Sequence, residues 1–165
     1  MTDTIVVDAS PLIVLIKIDL SFVLNELFST VIVPASVYAE ILAGPPDDKA
    51  RLGLPDLAWL RAVSCDSIDP RIDTARLGKG EADVLSLALG ENDASVLVDD
   101  AAARRAASAL GICCFGTGGL IVRAKQRGVI RSVSDALSSA KDNGLWIGVG
   151  IEREILEMAG ENDIS

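Results

Sequence analysis

Short apolar segments alternate along this chain with longer segments of helical spacing, and this alternation is the strongest constraint on its fold. The apolar segments lack the period-2 pattern of a strand with one solvated face, so they are predicted to be strands buried on both faces. They cover 4–7, 30–34, 94–98 and 112–115. Strands of this kind are typical of a parallel sheet with helices on either side. The sequence therefore predicts an α/β fold, a three-layer α/β/α sandwich with a central, mostly parallel sheet.

The intervening segments are predicted to be helices. In the first, Ser10 is expected to be the N-cap and Pro11 to lie in the first turn, so the helix is predicted over 10–19. Other helices are predicted over 21–28, 34–44, 78–92, 99–110, 117–128, 132–144 and 150–161. The Pro- and Gly-rich stretch 44–56 is predicted to be a loop or a short irregular insertion, and 57–65 is compatible with a helix or a strand. We expect one domain over 1–160 and a frayed tail over 161–165.

The absence of histidine from all 165 residues excludes several kinds of active site. Ser-His-Asp and Cys-His nucleophile systems cannot form within the chain, and the commonest zinc ligand is missing. The three cysteines include no CxxC pair, which disfavours a disulfide framework or a thiolate zinc site. The richest apolar stretch, 12–24, is interrupted by Lys17 and Asp19. No membrane span is therefore expected, and the chain is predicted to be soluble and cytoplasmic.

Acidic residues follow the predicted strands at the points where the strands end. Asp8 comes directly after the first strand, and Asp99 and Asp100 follow "SVLV". Thr117 and its glycine neighbours follow "ICCF". Because ligands gather at the carboxyl ends of parallel strands, these side chains are expected to share one edge of the sheet. One of the two adjacent aspartates can cap the next helix, which leaves the other without a structural role.

Helical spacing predicts different directions for the acidic side chains that lie on the predicted helices. Glu81 lies on the same helical stripe as Val84 and Leu85, so it is predicted to point inward, where a carboxylate needs a partner. Asp83 points away from that stripe, and Glu40 lies on the flank of its helix, where a solvated glutamate is the default. Several converging carboxylates without histidine or cysteine favour a hard divalent cation, Mg²⁺ or Mn²⁺.

Five segments, in this order, resemble the PIN-domain family, metal-dependent ribonucleases that include the toxins of VapC-type toxin–antitoxin pairs. They are "IVVDASPLI", "VIVPASVYAEILAG", "GEADVLSLAL", "VLVDDAAARRAA" and "GTGGLIVRAKQRGVI". The resemblance runs from about residue 5 to residue 160. It implies a PIN-like sandwich and an endoribonuclease that hydrolyses RNA phosphodiester bonds.

The resemblance also implies a catalytic, metal-binding quartet: Asp8, Glu40, Glu81 and Asp100, with Asp99 as the close alternative to Asp100 and a further candidate ligand. Aligning "GEADVLSLAL" on the family pattern selects Glu81 over Asp83, although many members carry aspartate at this position. The implied cofactor is Mg²⁺ or Mn²⁺. The implied biology is that of a type II toxin, blocked by a cognate antitoxin protein and paired as a homodimer.

Substrate-binding roles are expected for five polar or basic residues: Ser10, Lys79, Arg104, Thr117 and Arg123. Family likeness places Ser10 beside the first aspartate and Thr117 at the far rim of the site. The net charge is −9, but basic residues cluster at 104–105 and 123–131. They either form a solvated helix face or flank the groove, where they would bind RNA phosphates. Because aromatic residues make up only 4% of the chain, base stacking is not expected to dominate binding.

Two other functions compete with this one. A catalytically inactive PIN-like protein would act as a binding or assembly module. Another Mg²⁺-dependent phosphohydrolase is the second alternative, but the "DAS" that follows the first strand lacks the second aspartate of the haloacid-dehalogenase pattern. A dinucleotide-binding loop is weaker still, because no GxGxxG follows the first strand.

Overall fold

Five parallel strands form the centre of the structure, a computed structural model that describes residues 3–161. The strands are β1 (Thr4–Val7), β2 (Thr30–Pro34), β3 (Leu60–Val63), β4 (Ser95–Leu97) and β5 (Cys113–Phe115). Their order in the sheet is β3-β2-β1-β4-β5, and every neighbouring pair is parallel. The predicted parallel sheet is confirmed, and the ambiguous stretch 57–65 contributes its edge strand β3.

Helices flank this sheet as the sequence predicts, although several begin or end at other residues. Within residues 3–161 they are α1 (Ala9–Lys17), α2 (Phe22–Leu27), α3 (Ala35–Leu42), α4 (Lys49–Gly53), α5 (Lys79–Gly90), α6 (Ala101–Ala109), α7 (Thr117–Gln126), α8 (Val133–Asp142) and α9 (Val149–Met158). The α/β/α sandwich is thus confirmed. None of the helices in the described chain is both long and apolar enough to cross a bilayer.

The stretch 44–56, predicted to be a loop or a short irregular insertion, contains short helical turns that its Pro and Gly content did not indicate. It contains α4 and a 3₁₀ turn over Leu54–Asp56. The Asp48 carboxylate caps α4 by accepting a hydrogen bond from the backbone N–H of Arg51 at 3.0 Å. Ala50 and Leu54 are buried. Local capping and two apolar anchors therefore outweigh the turn-forming composition.

The predicted cap of the first helix is wrong by two residues. The N-cap of α1 is Asp8, whose Oδ1 accepts a hydrogen bond from the backbone N–H of Ala9 at 2.8 Å. Pro11 still lies in the first turn, where its missing N–H removes no helical hydrogen bond. Ser10 is exposed and free of any capping role. The carboxylate at the end of β1 therefore also begins a helix.

A second hydrophobic cluster lies at the carboxyl-terminal side of the domain, between α7, α8 and α9. Leu137, Leu145 and Ile155 are buried in it. The α7–α9 contact is very close, because a Cβ placed on Gly118 would lie 2.5 Å from Cδ1 of Ile155. The helix α9 thus rests on the first turn of α7.

Glu161 is held by the rest of the fold, although it falls within the predicted frayed tail. Its carboxylate accepts hydrogen bonds from Lys125 Nζ and the backbone N–H of Val133, both at 2.7 Å, and from the N–H of Ser134 at 2.9 Å. It thereby ties the end of the described chain to α7 and the start of α8. The rest of the predicted tail, 162–165, lies outside the described residues.

Candidate functional site

Acidic side chains collect at the carboxyl ends of the two central strands. Asp8 follows β1, and its backbone N–H donates to the carbonyl of Leu97, the last residue of β4, at 3.0 Å. Asp99 and Asp100 follow β4. A cavity of about 690 Å³ opens at this edge. Its walls include Asp8, Ser10, Glu81, Asp99, Asp100, Arg104 and the segment 144–148.

Asp8 is the buried member of the acidic group, with only 8% of its surface exposed. Burial raises the pKa of its carboxyl from 3.8 to about 6, although the hydrogen bond from the Ala9 N–H opposes the shift. The negative charges of Glu81, Glu40 and Asp100 add to the increase. The other three members of the predicted quartet therefore lie close enough to Asp8 for their charges to act on it.

Glu81 lies in the first turn of α5 and reaches back to the start of that helix. Its Oε2 accepts a hydrogen bond from the backbone N–H of Gly78, the N-cap, at 2.5 Å. The helix end packs directly over the first aspartate, since a Cβ on Gly80 would lie 3.5 Å from Asp8 Oδ1 and 3.2 Å from Val37 Cγ2. Glycine at this position therefore leaves space beside the Asp8 carboxylate.

Asp99 and Asp100 have different contacts, which the sequence left open. The Oδ2 of Asp100 accepts from the backbone N–H of Ala103 at 3.0 Å and caps α6. Both oxygens of Asp99 accept from Thr117, one from its backbone N–H at 2.7 Å and one from its Oγ1 at 2.6 Å. Thr117 is fully buried, so its predicted place at the rim of the site is wrong. Asp99 joins β4 to the start of α7, while Asp100 acts on Asp8.

Three of the carboxylates share one arrangement. In Asp8, Glu81 and Asp100, one oxygen accepts a backbone N–H at the start of a helix, α1, α5 or α6. The second oxygen of each accepts no hydrogen bond within the described residues. The positive ends of three helix dipoles therefore lie at the same edge of the sheet and favour negative charge there.

Glu40 and Ser10 complete the predicted polar set near the cavity. Glu40 is exposed on α3, and its charge contributes to the raised pKa of Asp8 without the residue lining the cavity. Ser10 is exposed and lines the cavity beside Asp8. The serine hydroxyl is thus placed to contact a bound molecule, and Glu40 acts on the site through its charge.

The three predicted cationic residues do not share one location. Arg104 lines the cavity, and a Cβ on Gly116 would lie 3.2 Å from its Nη1, so this glycine lets the guanidinium approach the strand end. Lys79 Nζ pairs with Asp83 at 3.3 Å, outside the cavity wall. Arg123 lies over the ring of Phe115, 5.7 Å from its centroid, in a separate cavity. Only Arg104 of these three faces the acidic group.

Arg123 belongs to the opposite end of the sheet. Its cavity, of about 670 Å³, includes several residues at or before the starts of strands, among them Asp3, Ser29, Ser95 and Cys113, and also Phe115 at the end of β5. The helix α7 begins at the carboxyl edge and runs back across the sheet, so its second turn carries Arg123 away from the carboxylates. A charge count along the sequence cannot show this separation.

Asp83 is a buried carboxylate that helical spacing did not single out. Only 2% of its surface is exposed, and its Oδ2 accepts from Ser36 Oγ at 2.5 Å and from Lys79 Nζ at 3.3 Å. Its Oδ1 has no hydrogen-bond partner in the described chain. The sequence did offer one indication of a role for Asp83, because Lys79 lies four residues earlier and an ion pair at this spacing stabilises a carboxylate on a helix. Asp83 ties the start of α3 to α5, the two helices that carry Glu40 and Glu81.

The donor chemistry of the cavity fits a hard divalent cation, but the ligands are not gathered around a single point. Carboxylate oxygens suit Mg²⁺ or Mn²⁺, and Asp8, Glu81 and Asp100 each keep one oxygen free of hydrogen bonds in the described chain. A cation would also offset both the burial and the smaller repulsion from neighbouring carboxylates that raise the pKa of Asp8. Within residues 3–161, no three acidic or thiol groups are close enough to hold an ion as they stand. Metal binding therefore requires the free oxygens to draw together.

Comparison with known proteins agrees with the fold. The family model described as "DUF3368: PIN domain" matches residues 4–161, a range that includes every acidic residue of the cavity. No curated protein matches the chain.

Proposed function

The chain belongs to the PIN-domain family, a nuclease fold, and on this premise we propose that it is a metal-dependent endoribonuclease that hydrolyses RNA phosphodiester bonds. The observation that carries the proposal is the convergence of Asp8, Glu81 and Asp100. Each is fixed by one backbone N–H and has its other oxygen available for a cation.

In this proposal, Asp8, Glu81 and Asp100 hold Mg²⁺ or Mn²⁺, and Glu40 adds negative charge beside them. When bound, the ion lowers the pKa of a coordinated water and stabilises negative charge on the reacting phosphate. Ser10 and Arg104 bind phosphate oxygens, because both line the cavity next to the carboxylates.

Asp99 is a positioning residue in this scheme. Both of its oxygens are occupied by Thr117, so it fixes the junction between β4 and α7 instead of reaching into the cavity with a free oxygen. The adjacent Asp100 is thereby held at the start of α6, where its charge acts on Asp8.

We further propose that the protein is a cytoplasmic toxin of a type II pair, held inactive by a cognate antitoxin protein, and that it pairs as a homodimer. The support for these roles is the likeness to VapC-type toxins in the quoted segments. The exposed apolar side chains Val149 and Met158 on α9 are candidates for a dimer contact.

The proposed activity is tested by incubating purified protein with a pool of structured RNAs in Mg²⁺, in Mn²⁺ and in EDTA. Asp8→Asn is assayed beside the natural sequence, with Asp47→Asn as the matched control, because Asp47 is an exposed loop aspartate outside the cavity. We expect metal-dependent cleavage that Asp8→Asn lowers by a factor of at least about 100 and that Asp47→Asn leaves unchanged.

Two other outcomes would replace this proposal. RNA binding by folded protein without cleavage in either metal favours a binding or assembly module. Hydrolysis of a simple phosphomonoester, such as para-nitrophenyl phosphate, without cleavage of RNA favours another Mg²⁺-dependent phosphohydrolase.

A further inference from the structure

Trp146 is the most exposed large hydrophobic side chain in the described chain, with 87% of its surface accessible. It lines the same cavity as Asp8, Glu81 and Asp100. Tryptophan side chains are usually buried in a core or in an interface, because their large apolar surface is then removed from water. Trp146 has no such burial within the described chain. Its exposure therefore points to a molecule that covers it.

The backbone on both sides of Trp146 is fixed. The backbone N–H of Leu145 donates to the carbonyl of Ala140 at 2.9 Å, and the Leu145 side chain is buried in the cluster between α7, α8 and α9. Ile147 packs against the same cluster. Gly144, with φ of +109°, makes the turn that leads into this segment. Trp146 thus points outward between two anchored neighbours.

Much of the remaining lining of this cavity is polar and charged. It contains the carboxylates of Asp8, Glu81 and Asp100, together with the guanidinium of Arg104. The cavity volume, about 690 Å³, lies within the range of ligand-binding sites in general. One cavity therefore combines an aromatic side chain with carboxylates and a guanidinium, groups suited to a counter-cation and to a phosphate. A nucleotide likewise combines a planar base with an anionic phosphate.

We propose that Trp146 is the base-binding residue of this site and that its indole stacks on the nucleobase next to the phosphate held near Asp8 and Arg104. The inference rests on the proposed function, since it takes the ligand to be RNA. Stacking needs an accessible face of the base, so the nucleotide at this position has to be unpaired. The low aromatic content does not prevent such binding, because one tryptophan in the cavity wall is sufficient.

A protein partner is the competing occupant of this surface. A second copy of the chain or an inhibitory protein would be expected to cover Val149 and Met158 on α9 as well, since both are exposed. The nucleobase is favoured because Trp146 shares its cavity with the carboxylates and with Arg104, whereas Val149 and Met158 do not line it. Ile151 is the one exposed apolar residue of α9, among those described, that lines the cavity beside Trp146.

The test measures RNA binding and tryptophan fluorescence separately from cleavage. Trp59, the other tryptophan, is replaced by phenylalanine, so that Trp146 is the only indole that reports. The probes are an unstructured 12-nucleotide RNA, the same strand in a duplex, and a strand of the same length without bases. Each probe is titrated, in EDTA and in Mg²⁺, into the Trp59→Phe protein. The same titrations are made with the Trp146→Ala, Trp146→Phe and Met158→Ala variants.

We expect the single strand to quench Trp146 and the duplex and base-free strands to leave its fluorescence nearly unchanged. Trp146→Ala should weaken binding of the single strand by roughly 5- to 150-fold, the range that loss of one stacked base represents. Trp146→Phe should retain most of the affinity, and Met158→Ala all of it. The base-free strand should bind the Trp59→Phe protein and the Trp146→Ala variant equally well.

Failure of the inference and failure of the proposed function can be told apart. RNA cleavage and binding that are unaffected by Trp146→Ala would overturn the stacking role and leave the nuclease intact. Quenching and base-dependent binding without cleavage would support stacking and argue against catalysis. If Trp146→Ala converts a dimer to a monomer in sedimentation and binds RNA as before, the indole belongs to a protein interface. Absence of RNA binding by the Trp59→Phe protein would overturn the inference.

Discussion

Asp8 combines two roles at the scale of a single residue, because it begins α1 and lies buried among other carboxylates. Its folded pKa of about 6 exceeds the ordinary value of 3.8, so the native state binds more protons than the unfolded state between these two values. The stabilisation that the protonated Asp8 carboxyl gives the folded protein is complete below pH 3.8 and is lost as the pH rises through about 6. At neutral pH the ionised Asp8 therefore destabilises the metal-free protein.

Asp8→Asn should accordingly stabilise the metal-free protein at pH 7 by about 1–3 kcal/mol. The asparagine oxygen can still accept the Ala9 N–H, while the buried charge is removed. Urea unfolding in EDTA at pH 7 and at pH 4 measures the difference, which should nearly disappear at pH 4. In saturating Mg²⁺ the natural sequence should gain stability relative to the variant, because binding to the native state stabilises it. A variant that is less stable at pH 7 in EDTA would show that the carboxylate is structural.

At the scale of the element, the contact between α7 and α9 depends on the missing side chain of Gly118. A Cβ there would lie 2.5 Å from Cδ1 of Ile155, which is buried and has little room to move. Gly119, its neighbour, has open space at the same position, since a Cβ would meet nothing within 4 Å. The two adjacent glycines of α7 therefore differ in the space available for a side chain, which is open at Gly119 and blocked by Ile155 at Gly118.

Gly118→Ala should destabilise the protein by about 1–3 kcal/mol through overpacking against Ile155. Gly119→Ala is the matched control and should be neutral or stabilising by up to about 1 kcal/mol, because alanine favours the helix. Adding Ile155→Val to Gly118→Ala removes the clashing Cδ1, so the double variant should lose less stability than the two single changes together. Chemical denaturation of the natural sequence, the two single variants and the double variant measures this cycle. Additive losses of stability would contradict the contact between Gly118 and Ile155.

Glu161 stabilises the start of α8 through its charge. Burial alone would raise its pKa, but the Lys125 ammonium and the backbone N–H groups of Ser134 and Val133 outweigh burial and lower it from 4.5 to about 2. Because the folded pKa lies below the unfolded value, the stabilisation is complete above pH 4.5 and is lost as the pH falls toward 2.

Glu161→Gln should therefore destabilise the protein by about 1 kcal/mol at pH 7, a typical cost of losing a helix cap. The difference from the natural sequence should narrow steadily as the pH is lowered from 4.5. Thermal unfolding across this range is the measurement. Glu157→Gln, at an exposed position on α9, serves as the control and should show no such narrowing.

At the scale of the whole molecule, the two ends of the sheet have separate cavities with separate cations. Arg104 lies at the carboxylate end and Arg123 at the opposite end, against Phe115. Arg104→Ala should lower kcat/KM for RNA by roughly tenfold, which corresponds to about 1.4 kcal/mol of lost transition-state binding. Arg123→Ala should leave it within about twofold. Equal losses in both variants would show that RNA reaches both ends of the sheet.

Much of the fold was predictable because it depends on local patterns. Continuous apolar segments identified four of the five strands, and the order of Asp8, Glu40, Glu81 and Asp100 indicated the family. Capping was less predictable, since Asp8 and Ser10 are both suitable N-caps and only the three-dimensional position of β1 decides between them.

Features that depend on distant parts of the chain were not predictable. Asp83 follows the helical period of a solvated face, yet α3 and Lys79 enclose it. The direction of α7 sets the position of Arg123, and no feature of charge spacing encodes that direction. Trp146 reaches the cavity because the cluster between α7, α8 and α9 holds its neighbours, a contact among residues well separated in the sequence.

The late position of Trp146 and α9 in the chain has a consequence for biosynthesis. A ribosome releases the residues of β1, α5 and α6 well before it releases 144–155, so a nascent chain acquires its acidic edge before the rest of the cavity lining. Until Ile155 docks on Gly118, the cavity lacks its aromatic side chain. If Trp146 binds the base as proposed, translation itself delays full RNA binding until nearly the whole domain has been made.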